Sequence, residues 1–162
     1  MKAKKLSEEN WRLCVDSMPI YGIDMIIYSE GNGILMGRRI NEPALGKFFV
    51  PGGRVYKGET RINAFNRILL TETGLNYDLK ESKMIGIYEH FYTTNRWSDK
   101  EINTHYIIEA RFIYLKKNHN ILDINLNAQH SNINWIDLKN INQKDIHEYS
   151  NLYLTKVKEI LY

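Results

Sequence analysis

Charge of one sign is scarce in this 162-residue chain: 22 Lys and Arg stand against 19 Asp and Glu, for a net charge of +3. The basic residues are scattered, and no basic run exceeds Lys4-Lys5. So weak a field argues against nucleic acid or a membrane as the main partner, while still favouring a small anionic ligand. Cysteine is nearly absent. Cys14 alone permits no intrachain disulfide, and beside Leu13 and Val15 it reads as a small buried apolar group in a helix. Long apolar runs are missing too. The basic start Met1-Lys2-Ala3-Lys4-Lys5 leads into Ser7-Glu8-Glu9-Asn10 instead of an apolar stretch. Neither a signal peptide nor a membrane span is therefore expected, and a reducing cytoplasm is the expected setting. No repeat, linker or low-complexity tract divides the chain. A single domain over residues 1–162 with one core is the expectation.

What is present is ordinary for a soluble globular protein, with 43% hydrophobic and 25% charged residues. Ser7 before Glu8 and Glu9 signals a helix start, and Trp11, Val15 and Met18 would share one face of that helix. Gly22 to Tyr28 reads as a strand, Asn32-Gly33 as a hairpin turn, and Ile34 to Arg39 as the return strand. Phe48 to Val50 is a short buried strand ending at Pro51-Gly52-Gly53. Thr60 caps a helix carrying Ile62, Phe65, Ile68 and Leu69, and Gly74 ends it. Met84 to Thr93 and Thr104 to Leu115 read as long strands joined by a polar loop. Asn118 to Ser131 is polar and irregular, Ile133 to Ile136 a short strand, and Asp145 to Tyr162 a helix with Leu152, Val157 and Leu161 as apolar positions. This order predicts an α/β fold in which a mixed sheet lies between helices, an α/β/α sandwich.

One segment carries the chemistry. It runs from Phe49-Val50-Pro51-Gly52-Gly53-Arg54 through Glu59 to Arg67, Glu72, Gly74 and Leu75. Two glycines let the backbone turn and approach a ligand, and a carbonyl there is a hard oxygen donor suited to Mg²⁺. Arg67 and Glu72 follow on the helix, so carboxylate and guanidinium surround one small space. The helix reads Arg67-Ile68-Leu69-Leu70-Thr71-Glu72, and Ile68 and Glu72 share a face one turn apart. Ile68 ligates nothing, which leaves Glu72 as the charged ligand of this turn. One carboxylate suits one cation. That is enough to neutralise a departing diphosphate, whereas several metals are wanted to generate hydroxide and clamp an attacked phosphorus.

The spacing of these residues resembles the Nudix box. A usual Nudix helix reads Arg-Glu-x-x-Glu-Glu, and two of its carboxylates are replaced here by Ile68 and Thr71. The same depleted helix is found in GDP-mannose mannosyl hydrolases, a branch of that superfamily. The resemblance extends to Leu35-Met36-Gly37-Arg38-Arg39-Ile40-Asn41-Glu42-Pro43-Ala44, Tyr88-Glu89-His90-Phe91-Tyr92, Thr104-His105-Tyr106 and Gln129-His130, and covers about Ser7 to Tyr153. It implies a Nudix-type sandwich and hydrolysis of GDP-α-D-mannose to GDP and β-D-mannose, with water attacking sugar carbon 1 and inversion there. It implies one Mg²⁺ per site, for which Mn²⁺ can substitute, held by the Gly52 carbonyl, Glu72 and Gln129. It implies His130 as the base, a role that a pKa near neutrality suits. Arg39, Arg54 and Tyr106 would stabilise the leaving group. Asp24 and His90 match positions that contact the sugar, and Arg67 either binds substrate or pairs with Glu59 or Glu72. Asp24 lies in the apolar run Ile23-Asp24-Met25-Ile26-Ile27 and needs a partner, either an arginine or a sugar hydroxyl. Tyr106 is equally readable as a core aromatic. The implied partners are a small nucleotide sugar and a second copy of the chain in a homodimer. Two rivals stand beside this reading: a Nudix pyrophosphohydrolase that attacks phosphorus, and a nucleotide-binding module without turnover.

Overall fold

In the computed structural model, which describes residues 6–116, 130–137 and 143–161, one seven-stranded mixed sheet lies between helices. In chain order the elements are α1 (Glu8–Ser17), β1 (Ile20–Ser29), β2 (Gly33–Arg39), β3 (Phe48–Phe49), β4 (Gly52–Arg54), α2 (Arg61–Thr73), β5 (Lys83–Tyr92), β6 (Thr104–Leu115), β7 (His130–Ile136) and α3 (Glu148–Leu161). The expected α/β/α sandwich is what the chain forms. Helix ends obey local chemistry. The Ser7 hydroxyl accepts from Asn10 N–H at 3.3 Å, the Thr60 hydroxyl accepts from Asn63 N–H at 3.2 Å, and Gly74 closes α2 at φ +72°. Among the described residues no helix is long and apolar enough to cross a membrane.

β1 is the central strand. It runs parallel to β6 from Ile20↔Tyr106 to Ser29↔Leu115. Its other edge has two partners. β2 pairs only with its end, at Tyr28↔Ile34 and Ser29↔Gly33, and β4 pairs further back, at Gly22↔Arg54, Ile23↔Gly53 and Asp24↔Gly52. β2 then leaves β1 to pair with β3 and β7. The opening between β2 and β4 is the start of the cleft described below.

Side chains alternate across β1, and each face meets a helix. Ile23, Met25 and Ile27 pack with Ala64, Phe65, Ile68 and Leu69 of α2. Ile26 packs with Tyr153, Leu154 and Val157 of α3. Trp11 and Val15 of α1 pack on Ile20 and Ile102. Each such buried aliphatic side chain contributes about 1.5–3 kcal/mol.

The structure departs from the sequence reading at several points. Met18 is extended backbone just past α1 and is exposed, because the helix has already ended at Ser17. Ile62 and Leu152 are exposed, and Tyr153 and Leu154 fill the core position expected for Leu152. The hairpin turn is centred on Glu30-Gly31, two positions before Asn32-Gly33, with Asn32 N–H donating to Ser29 C=O at 3.1 Å. Gly33 instead begins β2 at φ +95°, where a Cβ would overlap the Ile136 carbonyl. β7 begins at His130 and not at Ile133, because β2 continues as its template through Gly37↔Ile133 to Arg39↔His130, with an irregularity between them.

Gly52-Gly53 is a strand and not the expected turn, and neither glycine has positive φ. The requirement for glycine is steric. A Cβ on Gly52 would overlap Asp24 Oδ1, and one on Gly53 would stand 3.3 Å from the Ile68 side chain.

Candidate active site

A cleft of about 520 Å³ opens where β2 and β4 part on β1. Asp24, Arg39, Gly52, Arg54, Arg67, Glu72, His90 and Tyr106 all line it. These are the expected site residues apart from Gln129 and His130. Gln129 lies outside the described residues. His130 is described through its backbone, which pairs with Arg39 at the rim.

The α2 wall of the cleft is anionic at one point. Glu72 is 4% exposed, and burial pushes its pKa up to about 7 against the pull of Arg39 and Arg67. Ile68, one turn earlier, is 2% exposed and packs on Gly53. The Thr71 hydroxyl donates to the Arg67 carbonyl at 2.5 Å. Neither position supplies a second carboxylate.

Gly52 lines the same cleft as Glu72. The bonds from Met25 N–H to the Pro51 carbonyl at 2.8 Å and from Val55 N–H to the Tyr21 carbonyl at 3.0 Å fix the ladder register. In antiparallel pairing that register makes Asp24↔Gly52 a non-bonded pair, so the Gly52 carbonyl points away from β1. A buried carboxylate and an outward carbonyl are hard oxygen donors, which suit one divalent cation completed by water and phosphate oxygens. Among the described residues no group of three or more His, Cys, Asp or Glu could hold a metal by itself.

Arg67 commits its fork inside the protein. Its Nε donates to Glu59 Oε1 at 2.7 Å, and its Nη2 donates to Glu59 Oε2 and to the Arg54 carbonyl, each at 2.8 Å. Glu59 also accepts Tyr56 N–H at 3.0 Å. This is the pairing with Glu59 anticipated as one alternative, made by a residue that also lines the cleft. It fixes the loop between β4 and α2. The Arg54 guanidinium lies 3.7 Å from the Trp11 ring and 5.0 Å from that of Tyr56. Burial lowers its pKa, though the group stays charged. Arg39 ends β2, and its Nε is buried without a hydrogen-bond partner among the described residues. Two cations thus border the cleft from the ends of β2 and β4.

The opposite wall is built on β1, β5 and α3. Asp24 is 5% exposed, and burial pushes its pKa up to about 7 against a hydrogen bond from Tyr153 and the charge of Arg39. The Tyr153 hydroxyl donates to Asp24 Oδ2 at 2.9 Å and lies 2.8 Å from His90 Nε2. Asp24's partner is therefore a tyrosine, where an arginine or a ligand hydroxyl was expected. Burial, helped by His147, pushes the His90 pKa down to about 4, so the ring is neutral. His90 stacks on Tyr149 at 4.0 Å between centroids and 8° between planes. Tyr149 in turn accepts Phe91 N–H at 2.8 Å and donates to Phe91 C=O at 2.9 Å, which closes part of the β5 edge. Tyr106 sits opposite His90 on β6. Burial raises its pKa, so its hydroxyl keeps its proton to donate.

Sequence reasoning missed Tyr149 and Tyr153. Their signal was two tyrosines four residues apart in a helix whose apolar stripe needed only aliphatics.

The family model of the NUDIX domain matches residues 18–156, most of the chain. The chain belongs to the Nudix family. Membership places it among hydrolases of nucleotide-linked substrates, which generally use a divalent ion such as Mg²⁺ or Mn²⁺. The low-salt glycan biosynthesis protein Agl8 of Haloferax volcanii is 33% identical over 152 residues, covering 93% of this chain and 89% of that protein. The MutT Nudix hydrolase of Burkholderia pseudomallei overlays with a TM-score of 0.69 at 18% identity, covering 87% of this chain and 99% of that one. The Nudix domain of Shewanella oneidensis NrtR, solved with ADP-ribose, overlays at 0.67 with 14% identity, covering 97% and 100%. At these identities the overlays speak for the fold alone.

Proposed function

We propose that this Nudix protein hydrolyses a GDP-hexose, GDP-α-D-mannose foremost, to GDP and the free sugar, with water attacking sugar carbon 1 and inverting it. One observation carries the reading. α2 offers the cleft a single carboxylate, Glu72, where the family's usual box has more, and buried Ile68 fills one of the vacated positions. Such a helix is poorly equipped to activate water beside phosphorus. It is sufficient for assisting the departure of a diphosphate.

The chain's own residues divide the remaining work. Arg39 and Arg54, which both line the cleft, stabilise the negative charge that grows on the leaving diphosphate. Tyr106 donates a hydrogen bond to the same group. Asp24 and His90 offer buried polar atoms to sugar hydroxyls. His130, at the rim beside Arg39, takes the proton of the attacking water. When bound, a divalent ion at Glu72, Gly52 and Gln129 supplies charge neutralisation for the diphosphate. The relative named for glycan biosynthesis fits a sugar-nucleotide substrate. A homodimer belongs to the same proposal by family likeness. Because Trp11 and Val15 are buried within the chain, α1 would offer a second copy only exposed Leu13 and neighbouring Met18.

Incubation with GDP-mannose and Mg²⁺ tests the reading. Free GDP with the β-anomer of mannose appearing first is the expected result. GMP with mannose 1-phosphate would assign the attack to phosphorus. Binding without products would leave a nucleotide-binding module.

A further inference from the structure

We propose that Tyr153 is a positioning residue of this site: its hydroxyl ties Asp24 to His90, holds the imidazole as the Nε2–H tautomer, and so presents Nδ1 as the ring's acceptor for a hydroxyl of the bound glycosyl group. The assignment of that ligand rests on the function proposed above; the tautomer does not.

The argument is one of counting protons. Tyr153 is fully buried on α3, and its hydroxyl oxygen lies 2.9 Å from Asp24 Oδ2 and 2.8 Å from His90 Nε2. A hydroxyl has one proton and accepts with its lone pairs. An ionised carboxylate only accepts, so well above pH 7, where Asp24 is charged despite its burial, the Tyr153 proton goes to Asp24. The tyrosine oxygen must then accept from His90, and Nε2 must carry the hydrogen. A neutral imidazole has only one N–H, and burial keeps this ring neutral. Nδ1 is therefore bare.

The rest of the surroundings hold this arrangement still. Stacking on Tyr149 fixes the plane of the ring. Phe49 and Tyr92 meet it edge-on, with centroids at 6.3 and 6.2 Å. Asp24 is confined on its other side by β4, where the absence of a side chain at Gly52 gives its carboxylate room. Asp24 and His90 line the cleft, and Tyr153 lies behind them. The wall formed in this way is rich in acceptors. It suits the hydroxyl donors of a polyol and disfavours a ligand that presents carbonyl or phosphate oxygens there.

The test uses the full chain labelled with ¹⁵N, with the His90 signal identified by its loss in His90→Gln. Long-range ¹⁵N–¹H correlation well above pH 7, where Asp24 is ionised, should show His90 as the Nε2–H tautomer. Tyr153→Phe keeps the ring volume and removes the hydroxyl; it should shift His90 to mixed or Nδ1–H tautomers. With GDP-mannose and Mg²⁺, the same variant should lose roughly tenfold to a hundredfold in kcat/KM, with GDP affinity unchanged. An Nδ1–H ring in the wild type, or an unaltered tautomer in Tyr153→Phe, overturns the proposal. So does a changed tautomer with unchanged kcat/KM. If the wild type turns over no GDP-hexose, the functional reading falls, and the spectra alone decide whether Tyr153 sets the tautomer.

Discussion

Gly52 stands so close to Asp24 across β1 and β4 that a Cβ on it would overlap the Asp24 carboxylate. Gly52→Ala must therefore push Asp24 off Tyr153 or spread the two strands. It should destabilise the protein by about 2–3 kcal/mol in urea unfolding, the usual cost of overpacking. Gly53→Ala meets Ile68 Cγ1 and Cγ2 at 3.3 Å, a far smaller overlap, and should cost less. Equal effects at the two glycines would show that Asp24 yields freely.

The Arg67–Glu59 pair ties the loop to the helix. Glu59's side chain is 5% exposed, and removing Arg67 leaves its charge unpaired. Arg67→Ala should cost about 3 kcal/mol. The hydrogen bonds from Arg67 hold the Glu59 pKa below its ordinary value in the folded state. That stability is complete above the unfolded glutamate pKa and is lost as pH falls through the lower folded value. Wild-type unfolding followed into acid should show this loss, and Arg67→Ala should flatten it.

Much of the frame is legible in local chemistry. Ser7, Thr60 and Gly74 cap helices because their side chains or φ serve the residues next to them. The strand Thr104–Leu115 announces itself by its apolar run. Contacts between distant parts of the chain leave no such mark. Nothing near Asp24 in sequence indicates Tyr153, which lies 129 residues away. Gly52-Gly53 looks like a turn because glycine's commonest use is conformational, while here the pressure comes from Asp24 and Ile68 on neighbouring elements. Arg54 was expected at a strand end, but its seat on Trp11 depends on how α1 docks.

His130→Gln removes the proposed base and leaves the rest of the cleft in place. Its kcat with GDP-mannose should fall by about two to four powers of ten. Mg²⁺-dependent GDP binding, measured by calorimetry, should stay near the wild-type value. Collapse of that binding would move His130 from proton transfer to ligand holding.

Glu72→Gln should weaken Mg²⁺ affinity by about tenfold or more, since it replaces a charged oxygen ligand with a neutral one. Chelation with EDTA should abolish turnover, and Mg²⁺ should restore it. Ile68→Glu would return a carboxylate to the box, but position 68 is only 2% exposed and lies against Gly53. Its expected effect is a loss of about 2–3 kcal/mol in stability, from a buried and unpaired group, with no gain in metal stoichiometry.

Hydrolysis of GDP-mannose in ¹⁸O-water, with both products examined by mass spectrometry, bears most directly on where the attack falls. The account predicts ¹⁸O in the mannose and none in the GDP. Label in a phosphate oxygen of the nucleotide product would contradict it.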